Sequence, residues 1–356
     1  MNPTTAATGQ TLDPVDSWEL AVLDAWHPLL LTEHLTRGTD FFEAGGTSVA
    51  AAQVMSRLRR SLAQQYPLSL LMENPVFADF VRAVRGGAAR SVPLVRLSAT
   101  QAPPAGTAPG SAWIHAAGGE VMFLHALAAL VPYAHFLGVR DTDWDLSPYA
   151  PLVPQEFTAR AAHHHALLAP EGVTHIAGYS SGAFAAHETV LLRLRAGLPT
   201  APALLVDPPA LHPAVSSPSY AQVLARRLGI APEVAEAPQA HPERWRAALA
   251  RRSPVGALPE ESYEDWLTQL CRISAKGEWA LCRYRPGPSP VRHRLVLSKS
   301  RPDLAQTVAD WSAVCGRPPL VLTVDASHDE IIADEALAHA VADWLGEPAD
   351  GSRDRA

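Results

Sequence analysis

The chain has 356 residues, 47% hydrophobic and 18% charged, with 32 prolines and 22 glycines, which suits one large or two unequal globular domains and excludes a disordered or fibrous chain. With 29 basic against 36 acidic side chains and a formal charge of -7, and with no block of Lys or Arg, the electrostatic footprint for nucleic acid or an anionic membrane is missing. The three cysteines, Cys271, Cys282 and Cys315, are too few and too widely spaced for a disulfide framework or a zinc site, so a reducing, cytoplasmic compartment is expected and no metal is.

The leader MNPTTAATGQTLDP lacks the basic start and apolar core of a signal peptide. The longest uncharged stretch, Met122–Val139, is broken by His125, Pro132 and His135, so no membrane span is expected. Helical spacing follows over Ser17–Leu31, through Leu20, Val22, Leu23 and Trp26, and over Ser48–Leu62, through Val49, Ala52, Val54, Met55 and Leu58. A third helix is expected over Phe77–Val84. Roughly 75 residues of helix make a small all-α bundle near the lower size limit for an independent core, here 15–88. In Ser91–Ser111, SVPLVRLSATQAPPAGTAPGS, apolar periodicity gives way to Pro, Gly, Ala, Ser and Thr, which predicts a linker over 89–111.

Beyond it, over 112–346, short apolar runs alternate with amphipathic helices, the rhythm of an α/β domain with a mostly parallel sheet. Strands are expected at Trp113–His115, His135–Val139, His175–Ala177, Ala203–Val206, Leu295–Leu297 and Leu320–Val324. Helices at Glu120–Val131, Gln155–Leu168 and Gly182–Arg195 separate the first four. At about 208–292 the rhythm fails: helical pieces such as Tyr220–Leu228 and Tyr263–Ile273 occur without a strand, and this insertion is expected to form a helical cap. Its Trp245, Trp266 and Trp279 either line a pocket or pack.

Two serines stand out. Asp40–Val49 reads DFFEAGGTSV, a glycine-rich loop entering the second helix at Ser48. Either Thr47 or Ser48 there would cap the free N–H groups of the first turn. The decapeptide also resembles, in its D-x-F-x-x-G-G-x-S form, the phosphopantetheine attachment loop of the peptidyl carrier domains of nonribosomal peptide synthetases. The resemblance extends over Ser17–Val84, with Thr47 where His is frequent and Val49 where Leu or Ile is frequent. It implies 4'-phosphopantetheine attached covalently to Ser48 by a phosphopantetheinyl transferase. A hydroxyl at a positive helix end, approached past Gly45 and Gly46, suits that phosphodiester.

The second serine lies in Gly178–Gly182, GYSSG, between the strand HIA and the helix AFAAHETVLLRLRA. Strand, tight turn and helix are what a nucleophile elbow requires, so Ser180 is the candidate nucleophile. His328, in VDASHDE after the last strand, is the candidate base. The acid is Asp207, directly off the strand ALLV before Pro208 and Pro209, or Asp303 beside Arg301, where a solvated ion pair or a helix cap is the ordinary explanation. Asp207 is preferred, because the two prolines stiffen the chain that holds it. The oxyanion donors are expected from the Ser181 N–H and from the loop His115–Gly119, with Ala117 chosen and Ala116 one residue away. Consecutive His163, His164 and His165 fan around a helix by about 100° each, cannot converge on a metal and are read as solvated. His187 is read as packing or as a substrate-side contact.

From about Ala112 to Leu345 the chain resembles the type I thioesterase domains that end nonribosomal peptide and polyketide assembly lines, within the α/β-hydrolase fold. The segments WIHAAGG, PEGVTHIAGYSSGAFAAHE, LLVDPP and PLVLTVDASHDEI carry the resemblance. Ala183 stands where a second Gly is usual, and Ser327 where Gly often precedes His. Carrier followed by thioesterase implies release, by hydrolysis or cyclisation, of a thioester-bound acyl or peptidyl chain in natural-product biosynthesis, with upstream adenylation and condensation modules as partners. An editing thioesterase, an acyl shuttle between carriers, and a non-enzymatic acyl-binding docking module are the competing readings. Met1 and the polar leader favour a free-standing protein over the end of a larger synthetase. The sequence predicts that Asp207→Asn keeps the fold and cripples turnover while Asp303→Asn is nearly silent, which steady-state rates check.

Overall fold

The computed structural model describes residues 12–349 apart from 31, 33, 63, 65, 67–68, 88–92, 98, 100, 103–109, 147, 212–217 and 254–260. The chain divides into two compact units, one built on the described residues of 1–92, 144–148 and 249–269, the other on those of 93–143, 149–248 and 270–356.

The N-terminal part of the first unit holds helices α1 (Ser17–Trp26), α2 (Ser48–Leu62), α3 (Ser69–Glu73) and α4 (Phe77–Arg85). Asp16 starts α1 by accepting from the Trp18 and Glu19 N–H groups at 2.9 and 3.0 Å. The helix stops at Trp26, short of the expected Leu31, and a 3-10 turn over His27–Leu29 follows. Pro28 explains the stop, because it has no N–H to donate to the preceding turn. Trp26 is fully buried, with the rings of Phe41, Phe77 and Phe80 centred 5.0, 5.3 and 5.6 Å away. This cluster ties α1, α4 and the glycine-rich loop together. In that loop Asp40 accepts from the Phe42 and Glu43 N–H groups. A Cβ on Gly46 would lie 2.4 Å from the Phe41 ring, so only glycine fits there.

The second unit is built on a seven-stranded sheet. Its strands are β1 (Leu94–Leu97), β2 (Gly110–Ile114), β3 (His135–Val139), β4 (His175–Tyr179), β5 (Leu204–Val206), β6 (Arg294–Ser298) and β7 (Leu320–Val324), in the order β1-β3-β2-β4-β5-β6-β7. All neighbours are parallel except β1, which runs antiparallel to β3. The linker expected over 89–111 is therefore corrected. Leu94–Leu97 belongs to the sheet, and β2 begins at Gly110 rather than Trp113; the rest of that segment lies largely outside the described residues. A four-residue antiparallel edge strand needs only a short apolar run, and the surrounding prolines and glycines concealed it.

Helices α5 (Leu124–Leu130), α6 (Phe157–Leu168) and α7 (Gly182–Arg195) connect the first parallel strands. Between β5 and β6 lie α8 (Tyr220–Leu228), α9 (Pro232–Glu236), α10 (Pro242–Arg252) and α11 (Glu261–Leu281), and among the described residues of this insertion no strand occurs. Helices α12 (Leu304–Cys315) and α13 (Glu335–Leu345) complete the unit. Phe184, Leu205, Leu295 and Trp311 are among the side chains that fill the core between sheet and helices.

A buried polar contact anchors α7. The Ala203 N–H donates to His293 Nδ1 at 3.1 Å, so the neutral ring carries its proton on Nε2, which faces His187 Nδ1 at 2.9 Å. His187 Nε2 in turn donates to the Gly287 carbonyl at 3.0 Å. This agrees with the packing reading of His187.

The parallel register fixes where the chain emerges from each strand. Tyr179 pairs with Val206, and Val206 with Val296, so Ser180 and Asp207 leave the sheet level with one another. The chain also moves from β2 to β3 on one side and returns to β4 on the other. Such a reversal opens a crevice at the carboxyl ends of the strands, where ligands of open α/β sheets bind.

Trp26→Ala removes the centre of the aromatic cluster. It should cost the helical unit about 3–5 kcal/mol, seen as a urea transition at lower concentration than in the native chain.

Candidate active site

Ser180 occupies the tight turn between β4 and α7 with φ 54°. A Cβ on Gly178 would sit 2.3 Å from the Gly182 carbonyl oxygen, and one on Gly182 would sit 2.4 Å from that of His115. Both glycines of GYSSG are thus required by backbone approach. Among the described residues the one other non-glycine with positive φ is Asp207, at 41°. Both strained residues end neighbouring strands.

The structure brings Ser180, His328 and Asp207 together. Asp207 is 5% exposed, and its Oδ2 lies 2.6 Å from His328 Nδ1. Because a carboxylate accepts, the Nδ1–H donates to Asp207, which leaves the Nε2 lone pair facing Ser180 Oγ at 3.2 Å. Asp207 Oδ1 accepts from the Ser298 N–H at 3.1 Å and from Arg301 Nη1 at 2.9 Å. Burial pushes the carboxyl up, but these donors and His328 outweigh it and hold Asp207 below the ordinary carboxylate range. Asp303, the alternative acid, turns to Arg301 instead, accepting from Nε and Nη2 at 2.8 and 3.1 Å.

Tyr179 was not singled out by the sequence, yet it supports His328. Its hydroxyl donates to the His328 carbonyl at 2.7 Å, and its ring stacks on the imidazole with centroids 5.0 Å apart. Burial raises the phenol well above its usual value, so it stays a neutral donor. The x position of G-x-S-x-G was the available signal, since the side chain beside Ser180 reaches the His328 loop. Ser327 fixes that loop further, its N–H and hydroxyl donating to Glu330 at 3.0 and 2.6 Å.

The loop after β2 turns at Gly119, with φ 80° and an N–H bonded to the Ala116 carbonyl at 2.9 Å. Among the described residues neither the Ser181 nor the Ala117 N–H donates to a protein backbone acceptor. The loop is braced, for the Asp141 N–H donates to the Gly119 carbonyl at 2.7 Å, and Lys276 of α11 pairs with Asp141 at 2.9 Å and with Asp143. Burial alone would raise Asp141, but His115 and Lys276 bring it down to about 2. A polar cavity of about 360 Å³ lies beside this brace, lined by His115, Arg160, His163, His164 and Lys276 among others. The solvated reading of the three histidines holds for His163 and fails for His164, which is 4% exposed and lies edge-on to His115. Its position on the inner face of α6 decides this. Burial pulls His115 down to about 4.

In the helical part, the Ala50 N–H donates to Thr47 Oγ1 at 3.2 Å, so Thr47 caps α2 and Ser48 is its first residue. The Ser48 side chain lies outside the described residues. Gly45 has φ 91°, the left-handed turn that delivers the chain to this helix.

Residues 21–84 match the family described as "Phosphopantetheine attachment site", and this region carries 4'-phosphopantetheine as a covalent cofactor. Tyrocidine synthase 3 of Brevibacillus parabrevis is 35% identical over 85 residues, 23% of this chain and 1% of the relative. Indigoidine synthase of Dickeya dadantii (strain 3937) is 31% identical over 179 residues, 49% of this chain and 12% of the relative. The chain therefore spans between 1% and 12% of the length of these relatives. Among solved structures, holo-AB3403, a four-domain nonribosomal peptide synthetase bound to AMP and glycine, superposes with a TM-score of 0.56 at 18% identity, over 98% of this chain and 27% of that one. The Vlm2 thioesterase domain bound with a dodecadepsipeptide superposes at 0.50 and 18% identity, over 71% of this chain and 98% of that one. The second unit has the α/β-hydrolase fold of such thioesterase domains, and a phosphopantetheine-attachment domain precedes it. Among the described residues no helix is long and apolar enough to cross a membrane.

Because Ser180 has positive φ, Ser180→Gly should be more stable than Ser180→Ala by about 0.5–1 kcal/mol, the reverse of the usual order. Thermal melts of the two variants check this.

Proposed function

We propose that this chain releases an acyl or peptidyl group, presented as a thioester, through a covalent ester on Ser180. One observation carries the reading: an unbroken hydrogen-bonded line from Ser180 through His328 to Asp207 at the carboxyl edge of an α/β-hydrolase sheet. Ser48 is the proposed attachment residue. The loop fits the cofactor, because Thr47 takes over the cap and Gly45 and Gly46 place no side chain beyond hydrogen on the approach. Phosphopantetheine on Ser48 supplies a thiol on a long flexible arm, where the acyl group arrives as a thioester.

Ser180 Oγ attacks the thioester carbonyl carbon while His328 Nε2 takes its proton. Asp207 keeps the imidazole in the tautomer that can accept, and its negative charge favours the imidazolium that forms. The carbonyl oxygen gains charge beside the Ser181 and Ala117 N–H groups. Collapse breaks the C–S bond, and His328 returns the proton to the departing sulfur. Water, or an internal amine or hydroxyl, then gives a proton to His328 as it bonds to the carbonyl carbon. The ester breaks and Ser180 recovers its proton. A phosphopantetheinyl transferase and upstream synthetase modules are the partners this route requires, in a cytoplasmic setting.

Three variants test it. Ser48→Ala should lose the mass increment of one phosphopantetheine. Ser180→Ala should still be loaded but hold its acyl group, and His328→Ala should slow release by roughly 10³-fold or more. Intact-mass spectrometry follows loading and product together. Full labelling of Ser48→Ala, or unchanged product formation by Ser180→Ala, would refute the assignment.

A further inference from the structure

Arg301 lies between two carboxylates. Its side chain is 9% exposed, against 5% for Asp207 and 34% for Asp303. One edge of the guanidinium meets Asp303 through two hydrogen bonds, and Nη1 reaches Asp207 Oδ1 at 2.9 Å. Asp303 stands at the N-cap of α12, yet its side chain caps nothing. A carboxylate at that position ordinarily bonds the first free N–H groups. Here it has been diverted to the arginine.

The charges explain why the pair belongs together. A buried cation on Asp207 alone would cancel the negative charge that favours a protonated His328. With Asp303 on its other side, the trio of two carboxylates and one guanidinium keeps a net charge of about -1. Arg301 and the Ser298 N–H then hold Oδ1, while Oδ2 is left for His328. We propose that Arg301 and Asp303 form a charge-balancing couple that aims the Asp207 carboxylate and sets how strongly it favours positive charge on His328. This rests on the proposed roles of Ser180, His328 and Asp207. Both members are positioning residues, since neither touches the reacting atoms.

Other groups lie beside His328 among the described residues. Tyr179 stacks on it from β4 and stays neutral through burial. Asp329 neighbours it on its own loop, and the Glu330 carboxylate is occupied by Ser327.

The test is the pH dependence of the rate at which a fluorophosphonate modifies Ser180 in the full chain. In this step a P–O bond forms, fluoride leaves and His328 takes the serine proton. Arg301→Gln removes a positive charge, so protonation of the base becomes easier and the acid midpoint of the profile should move up by about half a pH unit or more. Asp303→Asn exposes the triad to the whole charge of Arg301, and its midpoint should move down. Arg301→Lys keeps the charge and should stay near the native midpoint. A purely structural role predicts lower rates with no such opposition in sign. Midpoints that do not move, or that move together, overturn the assignment of Arg301 and Asp303 alone. If the native chain is not modified at Ser180, the underlying triad fails and the couple with it. Asp303 is one-third exposed and Asn matches its shape, so that arm remains decisive should Arg301→Gln not fold.

Discussion

Two backbone hydrogen bonds sustain the rest of the site. The Ser180 N–H donates to the Val206 carbonyl at 2.8 Å, and the Asp207 N–H donates to that of Val296 at 2.8 Å. Each extends the parallel ladder one residue past its strand, into a residue whose φ has turned positive. Such a conformation costs a non-glycine residue about 1–2 kcal/mol. The ladder bond and the close helix packing behind it keep the reversal from relaxing. Strain of this kind persists only where its surroundings over-determine it, and here it directs two side chains of adjacent strands toward the same histidine.

The division of labour on Asp207 follows from that placement. A carboxylate has two oxygens, and this one assigns them separately, Oδ1 to the fixed donors Ser298 and Arg301 and Oδ2 to His328. The histidine is held from the opposite side by Tyr179, through both its hydroxyl and its ring. The glycine-rich loop solves a different problem. Thr47 caps α2, so the helix start does not depend on the hydroxyl of Ser48. One serine is aimed by a rigid sheet, while the other begins a helix that a neighbouring residue has already secured.

What could be read from the residues alone was whatever has a local cause. Gly178 and Gly182 signal a turn so tight that a Cβ has no room, and β4, β5 and β7 announce themselves by short apolar runs that end at Ser180, Asp207 and the loop of His328. The edge strand β1 was hidden because four residues among prolines carry too little period to register. The partnership of Arg301 with Asp207 spans 94 positions and depends on register across β5 and β6. No neighbouring residue reveals it, so Asp303 looked like an ordinary ion pair or cap. His164 shares its type with its exposed neighbour His163, and only the face of α6 separates them.

The paired imidazoles of His187 and His293 give this fold an acid limit of its own. Both must stay neutral, since each ring nitrogen is committed to a particular donor or acceptor. Burial holds His187 down to about 4 and His293 well below its usual value. In the unfolded chain both would take up protons near pH 6.5. Stability is therefore full above that pH, and as the medium acidifies from there toward about 4 the unfolded chain gains protons that the native one refuses. The helix that follows Ser180 is thus fastened by a clasp that weakens in an acidified medium while Asp207 is still charged.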